Sequence, residues 1–194
     1  MKNSQLTTIY LIRHGQSEGN IQHKWGLTPE VNLTEKGRTQ VKETANKLAT
    51  VHFHAVFACD FVRAIQTAEI IALERNLVVH TKQALQERSY GRMNGKTQQE
   101  MKDELGELYH TYFDLPAKEK FYAKLVEDME STDEALQRLL LALREIAIAY
   151  EGKTALVVSH VTLMRALLIH LGFCDFHEIN SETCIERIRM RIPG

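Results

Sequence analysis

Three short apolar runs in this chain each end on residues suited to handling negative charge. Thr8–Ile12 runs into Arg13-His14-Gly15. Ala55–Ala58 runs into Cys59-Asp60, with Arg63 in the next helical turn, and Thr154–Ser159 runs into His160. A fourth segment, Leu85–Gly91, carries Glu87, Arg88 and Tyr90 after the short apolar run Leu77–His80. Arginines such as Arg13 and Arg63 can each grip phosphate oxygens through a bidentate fork. Helix N-termini after Asp60 and His160 would add backbone N–H donors and the positive end of a dipole. A neutral imidazole can attack phosphorus and split one hard displacement into two easier steps. A carboxylic acid can protonate the leaving oxygen and later deprotonate water. The set suits phosphoryl transfer, in which charge spreads over equatorial oxygens that fixed donors can hold. The arginines supply the positive charge, so neither a metal nor a cofactor is expected.

These residues need a scaffold that brings strand ends to one edge. Strands and helices alternate along the chain, which predicts an α/β protein: a three-layer α/β/α fold with a mostly parallel central sheet. Ligands in such sheets bind beyond the carboxyl ends of the strands, where all four segments end. Helices are predicted over Thr34–Thr50, with Thr34 as N-cap, and over about Phe61–Glu74, with Asp60 as cap. Thr97–Leu115 and Glu119–Glu130 read as polar helices. They form a helical cap insertion near the active site, at about 97–130, in a single domain covering 1–194. Ser131-Thr132-Asp133-Glu134 is a capping box opening a helix to about Tyr150. Val161–Leu171 is a helix with Gly172 just past its end, and Cys184–Ile192 is a candidate last strand.

Composition removes other classes. The chain has 194 residues, formal charge −1, 44% hydrophobic and 25% charged residues, an ordinary globular balance. No net basic field points to nucleic acid. The acid-rich middle reads as a solvated helical face. Three cysteines (Cys59, Cys174, Cys184) without a close pair form neither a disulfide scaffold nor a zinc site. There is no signal-peptide core and no apolar run near the ~20 residues of a membrane span. The expectation is a reduced, soluble, cytoplasmic protein. Its oligomeric state is left open. Gly152-Lys153-Thr154 echoes a P-loop but lacks the earlier glycine. Cys59 and Arg63 are too close for a Cys-x5-Arg phosphatase loop. His52 and His54 have no ligand partner at matching spacing. Trp25 and the Tyr109/Tyr112/Phe113 group read as core or rim.

Several segments together resemble the histidine phosphatase superfamily, in its phosphoglycerate mutase-like branch. LIRHGQSEGN (Leu11–Asn20) is similar to the family signature, VRAIQTA (Val62–Ala68) to its arginine helix, ERSYGRMNGK (Glu87–Lys96) to its acid-bearing segment and VVSH (Val157–His160) to its second-histidine strand. LTEKGRTQ (Leu33–Gln40) and ESTDEALQR (Glu130–Arg138) also resemble family segments. The resemblance implies that His14 becomes phosphohistidine and that Arg13, Arg63 and His160 bind the phosphoryl oxygens, His160 working best when protonated. It implies that Glu87 is proton donor and base, that Asn20 is a further phosphate donor and that Gln16 lines the loop. A helix-capping role is the competing reading for Asn20. Two departures stand out: Val161 replaces the usual glycine after the second histidine, and Asp60-Phe61-Val62 replaces a Ser/Pro-containing lead-in.

The resemblance also bears on the reaction. Mutases of this family resemble longer chains with an arginine pair in the insertion and a tail over the site. Here the insertion reads Leu108-Tyr109-His110-Thr111-Tyr112-Phe113, and the last strand is soon followed by Gly194. An open site would let water reach phosphohistidine. The E-R-x-Y-G-x-x-x-G-K run also resembles fructose-2,6-bisphosphatase-like phosphatases. The expected function is metal-independent hydrolysis of a small phosphorylated metabolite, with Arg88, Tyr90, Arg92 and Lys96 as candidates to contact the leaving group or a second phosphate. The alternatives are a cofactor-dependent phosphoglycerate mutase and a weakly active member that binds a phosphorylated ligand or a protein partner.

Overall fold

The computed structural model describes residues 6–173 and 185–190. In chain order its elements are β1 (Thr7–Arg13), α1 (Glu18–Ile21), α2 (Glu35–Lys47), β2 (Ala55–Ala58), α3 (Val62–Leu73) and β3 (Val79–Thr81). Then follow α4 (Gln98–Leu105), α5 (Glu107–Phe113), α6 (Ala117–Tyr122), α7 (Thr132–Ala149), β4 (Thr154–Ser159), α8 (Val161–His170) and β5 (Ile185–Met190). Single 3-10 turns lie at Gln83–Leu85 and Gly91–Met93.

The sheet order is β3-β2-β4-β1-β5, parallel except for the antiparallel edge strand β5. β2 is buried at all four positions and β4 at five of its six, as strands covered on both faces must be. Helix α2 packs on α3 and α7 on α8, completing the expected three-layer α/β/α architecture. Ile9, Leu11, Ile12, Val56 and Leu156–Val158 lie at the centre of its core.

Local chemistry sets most boundaries. The Thr34 side chain accepts from Gly37 N–H at the start of α2. Ser131 and Glu134 close the expected capping box on α7. Gly172, at φ 72°, takes the left-handed turn past α8. Three expectations need correction. The N-cap of α3 is Phe61, not Asp60; the Asp60 carboxylate instead accepts from Gln86 Nε2 at 2.7 Å. The insertion is more broken than its polar pattern predicted. Gly106, at φ 52°, separates α4 from α5, and Pro116 caps α6, because neither residue continues a helix. Residues 123–131 are not helical. The strand expected at Leu77–His80 lies at Val79–Thr81. Cys174, Cys184 and Gly194 lie outside the described residues.

Helices α4 and α5, the Gly91–Met93 turn and the segment after α6 carry a second small core: Met93, Met101, Tyr109, Tyr112, Leu125 and Met129, with Trp25 packed against it. The loop containing Trp25 is tied down there. Gly95 N–H donates to Trp25 O at 2.8 Å, and Leu27 N–H donates to Asn94 Oδ1 at 2.9 Å.

Candidate active site

Strand register alone brings the two histidines together. Arg13 of β1 pairs with Ser159 of β4, so the next residues, His14 and His160, leave the sheet side by side. Their ring centroids are 5.0 Å apart. The backbone of His14 stays on the sheet, its N–H donating to Ser159 O at 3.2 Å.

Two contacts fix the state of His14. Nδ1 lies 2.7 Å from the carbonyl of Gly15, and a carbonyl can only accept, so Nδ1 carries the proton. Arg63 Nε donates to Nε2 at 3.3 Å, so Nε2 presents its lone pair. Burial, then the charges of Arg63 and Arg13, hold the imidazole well below its ordinary pKa of 6.5, against the Gly15 carbonyl, which raises it. The ring is neutral, singly protonated and aimed through Nε2, the form a nucleophile requires.

Arg63 comes from the first turn of α3 and is 4% exposed. One guanidinium nitrogen donates to Thr28 O at 2.6 Å and to Thr28 Oγ1 at 3.1 Å. Its backbone carbonyl accepts from Thr67 Oγ1, which in turn accepts from Gly15 N–H at 3.2 Å. One threonine thus locks the histidine loop to the arginine helix.

Glu87 is half-buried at the mouth of α8. Its Oε1 accepts from Arg88 N–H at 2.8 Å and its Oε2 from Thr162 N–H at 3.4 Å. The helix N-terminus therefore holds the carboxylate in place. His160 is 0% exposed, and its Nε2 lies 3.1 Å from Cys59 Sγ. Burial, then His14, Arg63, Arg13 and Arg138, hold its pKa well below 6.5. In the resting site the neutral form of His160 is therefore the favoured one.

A cavity of about 500 Å³ opens above these groups. Arg13, His14, Asn20, Arg63, Glu87, Arg88 and Tyr90 line it, as do Lys24, Lys120, Arg165, Val161 and Thr162. An aromatic wall of Trp25, Tyr112, Phe113 and Phe121 closes one side, as the core-or-rim reading of Trp25 and the tyrosine group anticipated. Asn20 is also part of a capping box: its Oδ1 accepts from Ser17 N–H at 3.0 Å, which leaves its NH2 to face a ligand. Arg88 is 6% exposed and donates to Thr132 Oγ1 at 2.7 Å and to the Tyr90 hydroxyl. Gln16 and Lys96 lie off the cavity. Thr34 Oγ1 donates to Gln16 Oε1, and Lys96 pairs with Glu104. Arg92 pairs with Asp128 at 3.9 Å. Among the described residues no three His, Cys, Asp or Glu side chains gather as a metal cluster.

Sequence reasoning missed Thr28, Cys59 as a histidine partner, and Thr162. Thr67 stood in plain view within VRAIQTA; Thr28 lies in a loop without periodicity, and a hydroxyl there gives no signal.

Paired histidines, two arginines and a carboxylate on the carboxyl edge of a parallel sheet have the chemistry to hold and transfer a phosphoryl group. A profile of the histidine phosphatase superfamily (branch 1) matches residues 9–189. The chain belongs to this family of enzymes. It is 30% identical over 167 residues to the 2,3-bisphosphoglycerate-dependent phosphoglycerate mutase of Cytophaga hutchinsonii, covering 84% of this chain and 76% of that protein. It is 26% identical to phosphoserine phosphatase 1 of Hydrogenobacter thermophilus, covering 92% of this chain and 82% of that one. The solved structure of Bacillus stearothermophilus YhfR superposes with TM-score 0.83 at 25% identity, covering 97% and 92% of the two chains. Among the described residues no helix is long and apolar enough to cross a membrane.

Proposed function

We propose that the chain hydrolyses a phosphomonoester through phosphohistidine at His14 Nε2. The observation that carries this reading is the state of His14: neutral, its Nδ1 proton held by Gly15 O, its Nε2 lone pair facing the cavity-lining Arg63. The lone pair of Nε2 attacks phosphorus as the bond to the leaving oxygen breaks. Glu87, in its acid form, gives that oxygen a proton. The Glu87 carboxylate then takes a proton from water, whose oxygen attacks phosphorus and breaks the P–N bond, releasing phosphate. Arg63 trades its long bond to Nε2 for equatorial phosphoryl oxygens, shared with Arg13, His160 and Asn20.

The substrate is a small metabolite whose leaving group carries a second anionic group. Arg88, Lys24, Lys120 and Arg165 line the cavity beyond the phosphoryl pair, and Glu87 is the carboxylate that faces them among the described lining residues. Arg88, with Tyr90 beside it, binds that second anion. Lys96 and Gln16, which do not line the cavity, are left out of this contact. Water, rather than a second hydroxyl, is the acceptor: α5 presents Tyr112 and Phe113 to the cavity, not an arginine pair to seat a sugar acid for return transfer.

The test is a panel of phosphomonoesters assayed in EDTA, including sugar phosphates, fructose 2,6-bisphosphate and 3-phosphoglycerate with its bisphosphate cofactor. Phosphate release that survives EDTA and is lost in His14→Ala supports the reading. Isomerisation without net phosphate release would replace it with mutase activity. Substantial turnover by His14→Ala would sink the mechanism.

A further inference from the structure

Cys59 stands outside the chemistry above yet touches it. Phe57 of β2 pairs with Val157 of β4, so two residues on, where side chains return to the same face, Cys59 comes level with Ser159 and reaches the ring that follows it. Its Sγ lies 3.1 Å from His160 Nε2, and both residues are 0% exposed. Burial pushes the thiol pKa up to about 11, opposed by a hydrogen bond from the backbone N–H of Phe61. At neutral pH the sulfur therefore keeps its proton. With Phe61 N–H on a sulfur lone pair, the S–H is left to give, and Nε2 is the acceptor within reach. On the other side of the ring, Nδ1 is buried without a hydrogen-bond partner among the described residues.

We propose that Cys59 is a positioning residue: its S–H donates to His160 Nε2 and so fixes the imidazole proton on Nδ1, the nitrogen then ready to donate to the phosphoryl group at His14. This rests on the phosphohistidine reading for its purpose, though not for its geometry. The opposite tautomer, with Nε2–H donating to sulfur, would turn a bare Nδ1 lone pair toward an anionic substrate, leaving two acceptors facing each other in a buried site. A thiol is a weak donor, but one donor of fixed direction suffices to choose between two tautomers of a neutral ring.

Proton-detected 15N spectra of histidine-labelled protein read the tautomer without any substrate, with His160→Gln assigning the signal. The wild type is expected to show protonated Nδ1 and unprotonated Nε2 at His160. Cys59→Ala should erase that bias and lower kcat roughly tenfold, about the worth of one hydrogen bond, with a smaller change in KM. Cys59→Ser keeps a donor and should restore both. Wild-type His160 with its proton on Nε2 overturns the proposal, as does a Cys59→Ala protein with wild-type tautomer and kcat. Should Cys59→Ala fail to fold, the wild-type and Cys59→Ser spectra still decide. If the wild type releases no phosphate from any ester, the activity reading fails while the spectrum still judges this one.

Discussion

In the proposed reaction, His14 and Glu87 divide the chemistry according to what each touches. The nucleophile is made neutral by burial and neighbouring cations, whereas the acid sits half-buried against backbone N–H groups of Arg88 and Thr162. Glu87→Gln should therefore lose proton donation while keeping the shape and one of the two backbone contacts, since its NH2 cannot accept. Its cost should be about 10²–10⁴-fold in kcat on alkyl phosphates. On an aryl phosphate such as p-nitrophenyl phosphate, whose leaving oxygen needs no proton, the loss should be far smaller. Equal losses on both substrates would remove Glu87 from the acid role. Arg88 calls for a comparison within one variant, because it also ties Tyr90 and Thr132 together. Arg88→Gln should raise KM roughly tenfold for esters bearing a second phosphate or carboxylate and little for esters with a neutral leaving group. An unchanged ratio between the two substrate classes would mean that Arg88 is structural alone.

At the scale of elements, the site depends on how closely two loops approach. A Cβ on Gly37 would lie 2.0 Å from Gln16 O, and one on Gly15 would lie 2.6 Å from Gly37 O. Both obstacles are backbone, so the loop that carries His14 would have to move. Gly37→Ala should cost about 1–3 kcal/mol in urea unfolding and lower kcat with it. Ser131→Ala, by contrast, removes the capping box of α7 for about 1 kcal/mol with kcat nearly unchanged. A Gly37→Ala enzyme with wild-type kcat and stability would show that the two loops are not coupled. These glycines also show what sequence could and could not tell. LTEKGRTQ stood out as a resembling segment, but its physical reason, backbone against backbone, needed the fold. The strand ends carrying Arg13, His14 and His160 were legible because apolar runs of period-free burial are short and end on charge. Helices α4–α6 were less so: a polar helical pattern says nothing about where Gly106 will turn left-handed. Thr28 and Cys59 were silent because they act through a carbonyl, a hydroxyl and a thiol placed by loops and register.

For the molecule as a whole, a buried, neutral histidine pair has a thermodynamic consequence. His14 and His160 both have folded-state pKa values well below 6.5, chiefly from burial. Above 6.5 neither state of the chain protonates them, and their contribution to stability is fully present. As pH falls through 6.5 the unfolded chain takes up protons that the folded chain refuses, so folding stability declines. The thermal midpoint should fall between about pH 7 and 5, while kcat/KM of the free enzyme keeps its acid limb well below 6.5 because His14 stays unprotonated there. The capping carboxylates Glu100 and Glu134, whose pKa values lie below 4.5, first through hydrogen bonds to Thr97 and Lys124, act in a separate and more acidic window. Their stabilisation is present above 4.5 and is lost as pH drops through their folded values. The two windows can be told apart. His14→Gln with His160→Gln should flatten the decline between about pH 7 and 5 and leave the more acidic one untouched. Inorganic phosphate or vanadate, by bringing negative charge to the two imidazoles, should raise their affinity for protons in the folded state and so make the decline shallower and end it at a higher pH. A midpoint that stays level through this range in the wild type, or falls as steeply in the double variant, would mean that the two rings are not held neutral by the fold. The reading of His14 as a ready nucleophile would then lose its electrostatic basis.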